Sequence, residues 1–316
     1  MNKGKDIIVR IIKDKVALEK IKDSFWKDII IESCIDPNSI IKVDGEKIYL
    51  KDFDIVLGKE QAFFFRGYGY AKELIEQCNA FFYVEGDQLL INISNIILNL
   101  QTAEELFILK EIFIEGTYNV DTTDDLSIVL DIGMNVGIAS LFFASKGNYK
   151  IFGYEPFPVT YNQALHNISL NPAISHSIIS KNFGIGRSKD TLTLDYCEDF
   201  KGSMGIINTT DEPFDKSNNT HKQQIEIEDI CDELKSIRNN YPKTNIIAKI
   251  DCEGSEYDII RRLDEAKKIS DINIYMIEWH RKGPKELIDI LKNNGYVTLS
   301  IDSKNKYAGM IYAFKK

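Results

Sequence analysis

Paired cysteine is missing from this chain. The 316 residues include five cysteines, Cys34, Cys78, Cys197, Cys231 and Cys252, and no two form a C-x-x-C pair. That spacing supports neither a disulfide framework nor a zinc cluster. Excess positive charge is missing too, since 39 Lys and Arg stand against 48 Asp and Glu, a net charge of -9. A surface with that balance repels phosphate backbones on average, which speaks against dedicated nucleic-acid binding. No run of about 18 apolar residues escapes polar interruption, so no membrane span is expected. Met1 to Arg10 holds no apolar stretch long enough for a secretory leader. Internal repeats are absent. The expectation is a reduced, cytoplasmic protein.

What is present can build a core. The hydrophobic share is 44% and the charged share 28%, which excludes disorder for the chain as a whole. The length suits two modest domains or one large domain with a cap, and the pattern changes near residue 103. Residues 1–102 read as an α+β cap or interaction domain. Residues 11–32 carry apolar positions at helical spacing (Ile11, Ile12, Val16, Leu18, Ile21). Ile40–Leu50 reads as a hairpin turning at Asp44-Gly45, and Phe81–Ile91 as a second one turning at Gly86-Asp87. The aromatic run Phe63–Tyr70 between them reads as small-domain core.

From Ala103 the amphipathic helix Ala103–Glu115 leads into alternating strands and helices, the pattern of an α/β fold with a parallel sheet. Strands are expected at Ser127–Ile132, Lys150–Tyr154, Asn245–Ile250 and Ile272–Ile277, with Tyr296–Ile301 and Gly309–Phe314 as a closing antiparallel pair. Helices are expected at Gly137–Lys146, Thr160–Leu170 and Lys285–Asn294. The polar stretch Asn208–Gln224 reads as a loop, beside a glycine bend at Gly202–Gly205.

The sharpest signal is Val129-Leu130-Asp131-Ile132-Gly133-Met134-Asn135-Val136-Gly137, which follows a strand and opens a helix. Glycines there admit close backbone approach, and the helix start offers unpaired N–H groups. Asn135 and Ile138 stand where a dinucleotide fingerprint needs glycine, so a tight turn against a pyrophosphate is poorly served. Asp131 and Asn135 suit a ligand bearing an ammonium and a carboxylate. Glu155, closing the next strand, can accept from both hydroxyls of a ribose. Asp131, Gly133, Asn135, Gly137 and Glu155 together describe a pocket for S-adenosylmethionine, and Tyr118, ahead of the first strand, is assigned to it as well.

Lys249, Asp251 and Glu253 are spaced by two, so an extended segment would aim all three to one face. Lys249 lies in an otherwise apolar strand and needs an acidic partner, Asp251 or another. Glu278 and His280 end the next strand. Neighbouring strands deliver their carboxyl ends to one crevice, so Asp251, Glu253, Glu278 and His280 are expected to converge as catalytic groups beside Lys249. Methyl transfer to oxygen needs a base. His280 fits with an ordinary pKa near ~6.5, Asp251 or Glu253 could serve instead, and a third option is a divalent cation on Asp251, Glu253 and Glu278.

The strings Leu109-Lys110-Glu111-Ile112-Phe113, Asp131–Gly137, Tyr154-Glu155-Pro156 and Lys249-Ile250-Asp251-Cys252-Glu253-Gly254-Ser255-Glu256 resemble the FkbM family of methyltransferases, over roughly Ala103–Phe314. The resemblance implies a class I methyltransferase domain over 103–316, with a Rossmann-like sheet of seven strands, the last pair antiparallel. It also implies S-adenosylmethionine as cofactor and O-methylation of saccharides, polyketides or related metabolites. Met134 stands where the family usually carries a smaller residue. A small-molecule or glycan acceptor is expected, a saccharide hydroxyl first. Residues 1–102 could cap the site, bind the acceptor or make a homodimer. An NAD(P)-dependent oxidoreductase is disfavoured by the missing glycine and the closing antiparallel pair. An RNA ribose methyltransferase is opposed by the net charge and the lack of a basic stripe. A non-catalytic binding module would have no physical reason to keep a buried lysine beside acids. Richness in Ile, Asn and Lys fits an AT-rich bacterial genome.

Overall fold

The computed structural model describes residues 18–19, 21–120, 122, 125–197, 220–302 and 307–316. They form two units, Met1–Thr117 and Tyr118–Lys316; the boundary read from sequence lies one helix earlier, at 102/103.

Among the described residues of the first unit, α1 (Ser24–Glu32) is capped by Asp23, whose carboxylate accepts from the Trp26 N–H at 3.2 Å. The apolar positions Ile11, Ile12 and Val16 of the expected longer helix lie outside the described residues. Two antiparallel three-stranded sheets follow, β1 (Ile40–Asp44), β2 (Lys47–Leu50) and β3 (Ile55–Leu57), then β4 (Phe81–Glu85), β5 (Gln88–Ile93) and β6 (Ile96–Leu100). Asp44 pairs with Lys47, so the first hairpin turns one residue later than expected, at Gly45-Glu46. Gly45 takes the positive φ of 60° that such a turn demands. Between the sheets α2 (Tyr68–Cys78) carries part of the aromatic run, and α3 (Ala103–Phe113) closes the unit. Phe53, Phe64, Tyr68 and Phe82 stack edge-to-face with centroids 4.9–6.3 Å apart, so the run does serve as core.

The second unit holds β7 (Ser127–Ile132), α4 (Ile138–Ser145), β8 (Tyr149–Tyr154), α5 (Pro158–Ser169), β9 (Ile178–Lys181), β10 (Gly184–Gly186), β11 (Asp190–Cys197) and β12 (Thr220–Asp229). It continues with α6 (Ile230–Asn240), β13 (Asn245–Ile250), α7 (Glu256–Glu265), β14 (Ile274–His280), α8 (Lys285–Asn293), β15 (Tyr296–Asp302) and β16 (Ala308–Lys315). Seven of these strands make one sheet in the order β15-β16-β14-β13-β7-β8-β9. β7, β8, β9, β13 and β14 run parallel, while β16 is antiparallel to both its neighbours. This is the class I methyltransferase sheet, with the expected antiparallel closing pair. All six residues of β7 are buried, as a central parallel strand covered on both faces requires.

A smaller sheet, β10-β12-β11, was not anticipated. Its strand β12 begins at Thr220, so residues 220–224, read as loop from their polarity, are strand. Residues 208–219 and the Gly202–Gly205 bend lie outside the described residues. From β7 the chain moves outward through β8 to β9; β13 returns to the other side of β7 and continues to β14. The crevice between the carboxyl ends of β7 and β13 is thus a topological switch point, where open α/β sheets bind ligands.

Candidate active site

Each strand end at the switch point contributes a loop. β7 runs into Gly133, whose φ is +79° and whose missing side chain makes room for the Asp251 carbonyl of the facing loop; a Cβ there would overlap that oxygen. Met134 occupies the space above Gly153, where a side chain on Gly153 would strike its sulfur. Asn135 takes a left-handed φ of 51°, and its N–H donates to Glu155 Oε2 at 3.0 Å. The other Glu155 oxygen accepts from the Phe157 N–H at 3.0 Å. Burial pushes the Glu155 carboxyl up to about 7, against the pull of those two N–H donors. The Asn135 side-chain oxygen is buried without a hydrogen-bond partner.

Behind this loop sits a buried ionic brace. The Lys249 ammonium donates to the Gly133 carbonyl at 2.5 Å and lies 3.1 Å from Asp131 Oδ1 and 3.5 Å from Asp251 Oδ2. Asp131 is wholly buried and also accepts from the Ser140 hydroxyl at 2.6 Å. Burial alone would lower the Lys249 pKa, but Asp131 and Asp251 outweigh it and hold the lysine charged. Tyr118 donates to Asp251 at 3.3 Å, and its ring centroid is 5.7 Å from the ammonium. The acidic partner of Lys249 is therefore Asp131 first and Asp251 second.

The two-residue spacing of Lys249, Asp251 and Glu253 does not carry through. β13 ends at Ile250, and Glu253 adopts a φ of +50° followed by Gly254 at +113°. The turn nonetheless brings Glu253 Oε1 to 3.6 Å from His280 Nε2. Glu278 Oε1 lies 3.8 Å from the same nitrogen. The residue that sequence spacing missed is Glu256, the first residue of α7 and fully buried. One of its oxygens accepts from the His280 backbone N–H at 2.9 Å and lies 3.3 Å from Nδ1. The other accepts from the Gly254 N–H at 2.7 Å. Tyr257 completes the clamp by donating to the His280 carbonyl at 3.1 Å.

Burial alone would lower the His280 pKa; the hydrogen bond to Glu256 and the charges of Glu253, Glu256 and Asp251 overcome it and push it up to about 10. That shift favours the protonated imidazole, which counts against the role of base that its ordinary pKa suggested. Burial pushes Glu253 up to about 8, opposed by the His280 charge. Ligand atoms of Asp251, Glu253 and His280 lie within 4.8 Å of one another. These three could gather around a metal ion, with His280 in the place sequence reading had assigned to Glu278.

One cavity lies between the β7 and β13 loops; its empty space, open mouth included, is roughly 670 Å³. Gly133, Asn135 and Glu155 form one part of its wall, and Asp251, Glu253 and Ser255 another. Phe157, Ile185, Leu194, Ile225 and Ile227 supply an apolar side, three of them from β11 and β12 of the small sheet. Asp131, Gly137 and Tyr118, read from sequence as cofactor contacts, are buried and do not line this cavity. Among the described residues, no helix is long and apolar enough to cross a membrane.

Residues 131–298 match the Methyltransferase FkbM domain. The chain is 30% identical over 176 residues to "Methyltransferase 1" of Beauveria bassiana (strain ARSEF 2860), covering 50% of this chain and 67% of that protein. It is 26% identical over 217 residues to "Methyltransferase sdnD" of Sordaria araneosa, covering 61% and 82%. Among solved structures, the methyltransferase FkbM from Methylobacillus flagellatus KT is similar with a TM-score of 0.41 at 13% identity, covering 98% of this chain and 60% of that one. With the domain match spanning more than half its length, this chain belongs to the FkbM family of S-adenosylmethionine-dependent methyltransferases.

Proposed function

We propose that the chain transfers a methyl group from S-adenosylmethionine to a hydroxyl of a saccharide or related metabolite. The observation that carries this reading is one cavity walled by Asn135 and Glu155 on one side and Asp251 and Glu253 on the other. The first pair fits the cofactor. Glu155 presents a carboxylate to a ribose, and the unpartnered Asn135 oxygen fits a donor such as an ammonium group. The apolar side suits an adenine ring.

When bound, the cofactor supplies an electrophilic methyl on sulfur. The acceptor oxygen forms the new C–O bond as the C–S bond breaks, and the departing electron pair stays on sulfur. The chain's part is to hold that oxygen in line and to take its proton. Acidic neighbours favour the protonated form of His280 and burial favours the neutral form of Glu253, so the proton acceptor is another carboxylate, Asp251 or Glu278. Lys249 and Tyr118 act through Asp251, which they anchor. Calorimetric titration with S-adenosylmethionine, S-adenosylhomocysteine and NAD in parallel tests the cofactor. Both adenosyl compounds should bind and NAD should not; binding of NAD alone would sink the reading. Methyl transfer from labelled cofactor into a panel of saccharides, located by mass spectrometry, tests the acceptor. A label found only on nitrogen or carbon would overturn the oxygen assignment.

A further inference from the structure

Around His280 three carboxylates crowd one imidazole, and the arrangement has a direction. Glu256 engages the Nδ1 edge and the backbone N–H of His280, so the Nε2 edge is turned toward Glu253 and Glu278. A carboxylate on one ring nitrogen that leaves the other aimed into a site is how proteins orient a metal-binding histidine. Glu253 adds an independent sign. It is 9% exposed, it lines the cavity, and its Oε2 is buried with no hydrogen-bond partner. A carboxylate oxygen in that position carries a large desolvation cost unless something binds it. The Glu253 backbone is itself held in a left-handed conformation, φ +50°, so the loop is bent to bring this side chain in.

We propose that Asp251, Glu253 and His280 bind a hard divalent cation, Mg²⁺ or Mn²⁺, at the reacting end of the cavity. Two carboxylates and one imidazole suit these ions better than thiolate-seeking metals. The cation takes the place of the proton on His280 Nε2 and of any proton on Glu253, since ligands bind metal in their deprotonated forms. Three protein ligands, two of them in the cavity wall, leave coordination positions free, as a catalytic rather than structural site must. An acceptor hydroxyl in one of them loses its proton more readily, the proton passing to a nearby carboxylate such as Glu278. The inference rests on the proposed methyl transfer and narrows its acceptor to molecules with a hydroxyl able to coordinate metal.

The experiment uses the full chain stripped with chelator and titrated with MnCl₂ alone. Free Mn²⁺ is read by electron paramagnetic resonance, and S-adenosylhomocysteine binding is measured in parallel. One Mn²⁺ per chain is expected, displaced by excess Mg²⁺. Glu253→Gln and His280→Ala should each weaken it by at least tenfold, and Glu256→Gln by about 10–100-fold through the orientation of the imidazole. Glu286→Gln, at an exposed acid paired with Arg261, should leave it unchanged. Retained S-adenosylhomocysteine binding in each variant certifies its fold. Normal S-adenosylhomocysteine binding with no Mn²⁺ uptake would overturn the metal and leave the methyltransferase reading standing. Uptake indifferent to Glu253→Gln would overturn the location. Loss of S-adenosylhomocysteine binding by the unaltered chain would sink the parent reading instead.

Discussion

Glu155 carries a charge that its surroundings only half support. Two backbone N–H groups hold its oxygens, yet burial raises its pKa from 4.5 to about 7. The folded chain therefore keeps a proton on Glu155 over a pH range where the unfolded chain has lost it. Stability from this group is highest below about pH 4.5, declines between there and pH 7, and then levels off. The whole change is roughly 3 kcal/mol, at about 1.4 kcal/mol per pKa step. If ribose hydroxyls donate to this carboxylate, they favour its ionised form, so binding lowers its pKa and expels the proton. Titrations with S-adenosylhomocysteine at pH 6, in buffers of differing ionisation enthalpy, should show close to one proton released. Release near zero would remove Glu155 from the ribose contact.

At the scale of elements, the site depends on how β7 and β13 meet. In their parallel register Lys249 pairs with Asp131, and the side chains follow with the 3.1 Å ion pair. Breaking a buried pair from one side strands the other charge, at about 3–5 kcal/mol. Lys249→Met should cost that much in urea denaturation, and adding Asp131→Asn should return part of it. Purely additive losses would mean that the two side chains do not support each other. Sequence reading found a buried lysine in want of an acid but not which acid, because strand register between distant segments leaves no local mark. The loop from Gly133 to Gly137 was legible through its glycines and its place between strand and helix. Glu256 was not, since two-residue spacing stopped at Glu253, where the backbone turns. The small sheet did leave a signal: Leu192 and Leu194 alternate with polar neighbours, as do Ile225 and Ile227. That is the half-buried strand pattern, masked by the polar composition around it.

At the scale of the whole molecule, the family match at 131–298 falls inside the unit Tyr118–Lys316, and so does every wall residue of the cavity. That unit should therefore bind S-adenosylhomocysteine by itself, within a few-fold of the full chain. Residues 1–117 are then left for the roles first considered for the N-terminal region, acceptor capture or dimerisation. Where the fragment begins matters. The helix α3 buries Leu106, Leu109 and Ile112, and Leu106 and the Ala103 carbonyl lie against Gly67 within the first unit. A fragment starting at Ala103 would carry those apolar side chains without the residues that cover them, an invitation to aggregation. One starting at Tyr118 would not. Size-exclusion chromatography of 103–316 and 118–316, with calorimetry on each, separates the two boundaries. Monomeric, ligand-binding 118–316 beside a self-associating 103–316 is the expected pair of outcomes. Failure of 118–316 to bind, where the full chain binds, would mean that the first 117 residues complete the pocket rather than serve it from outside.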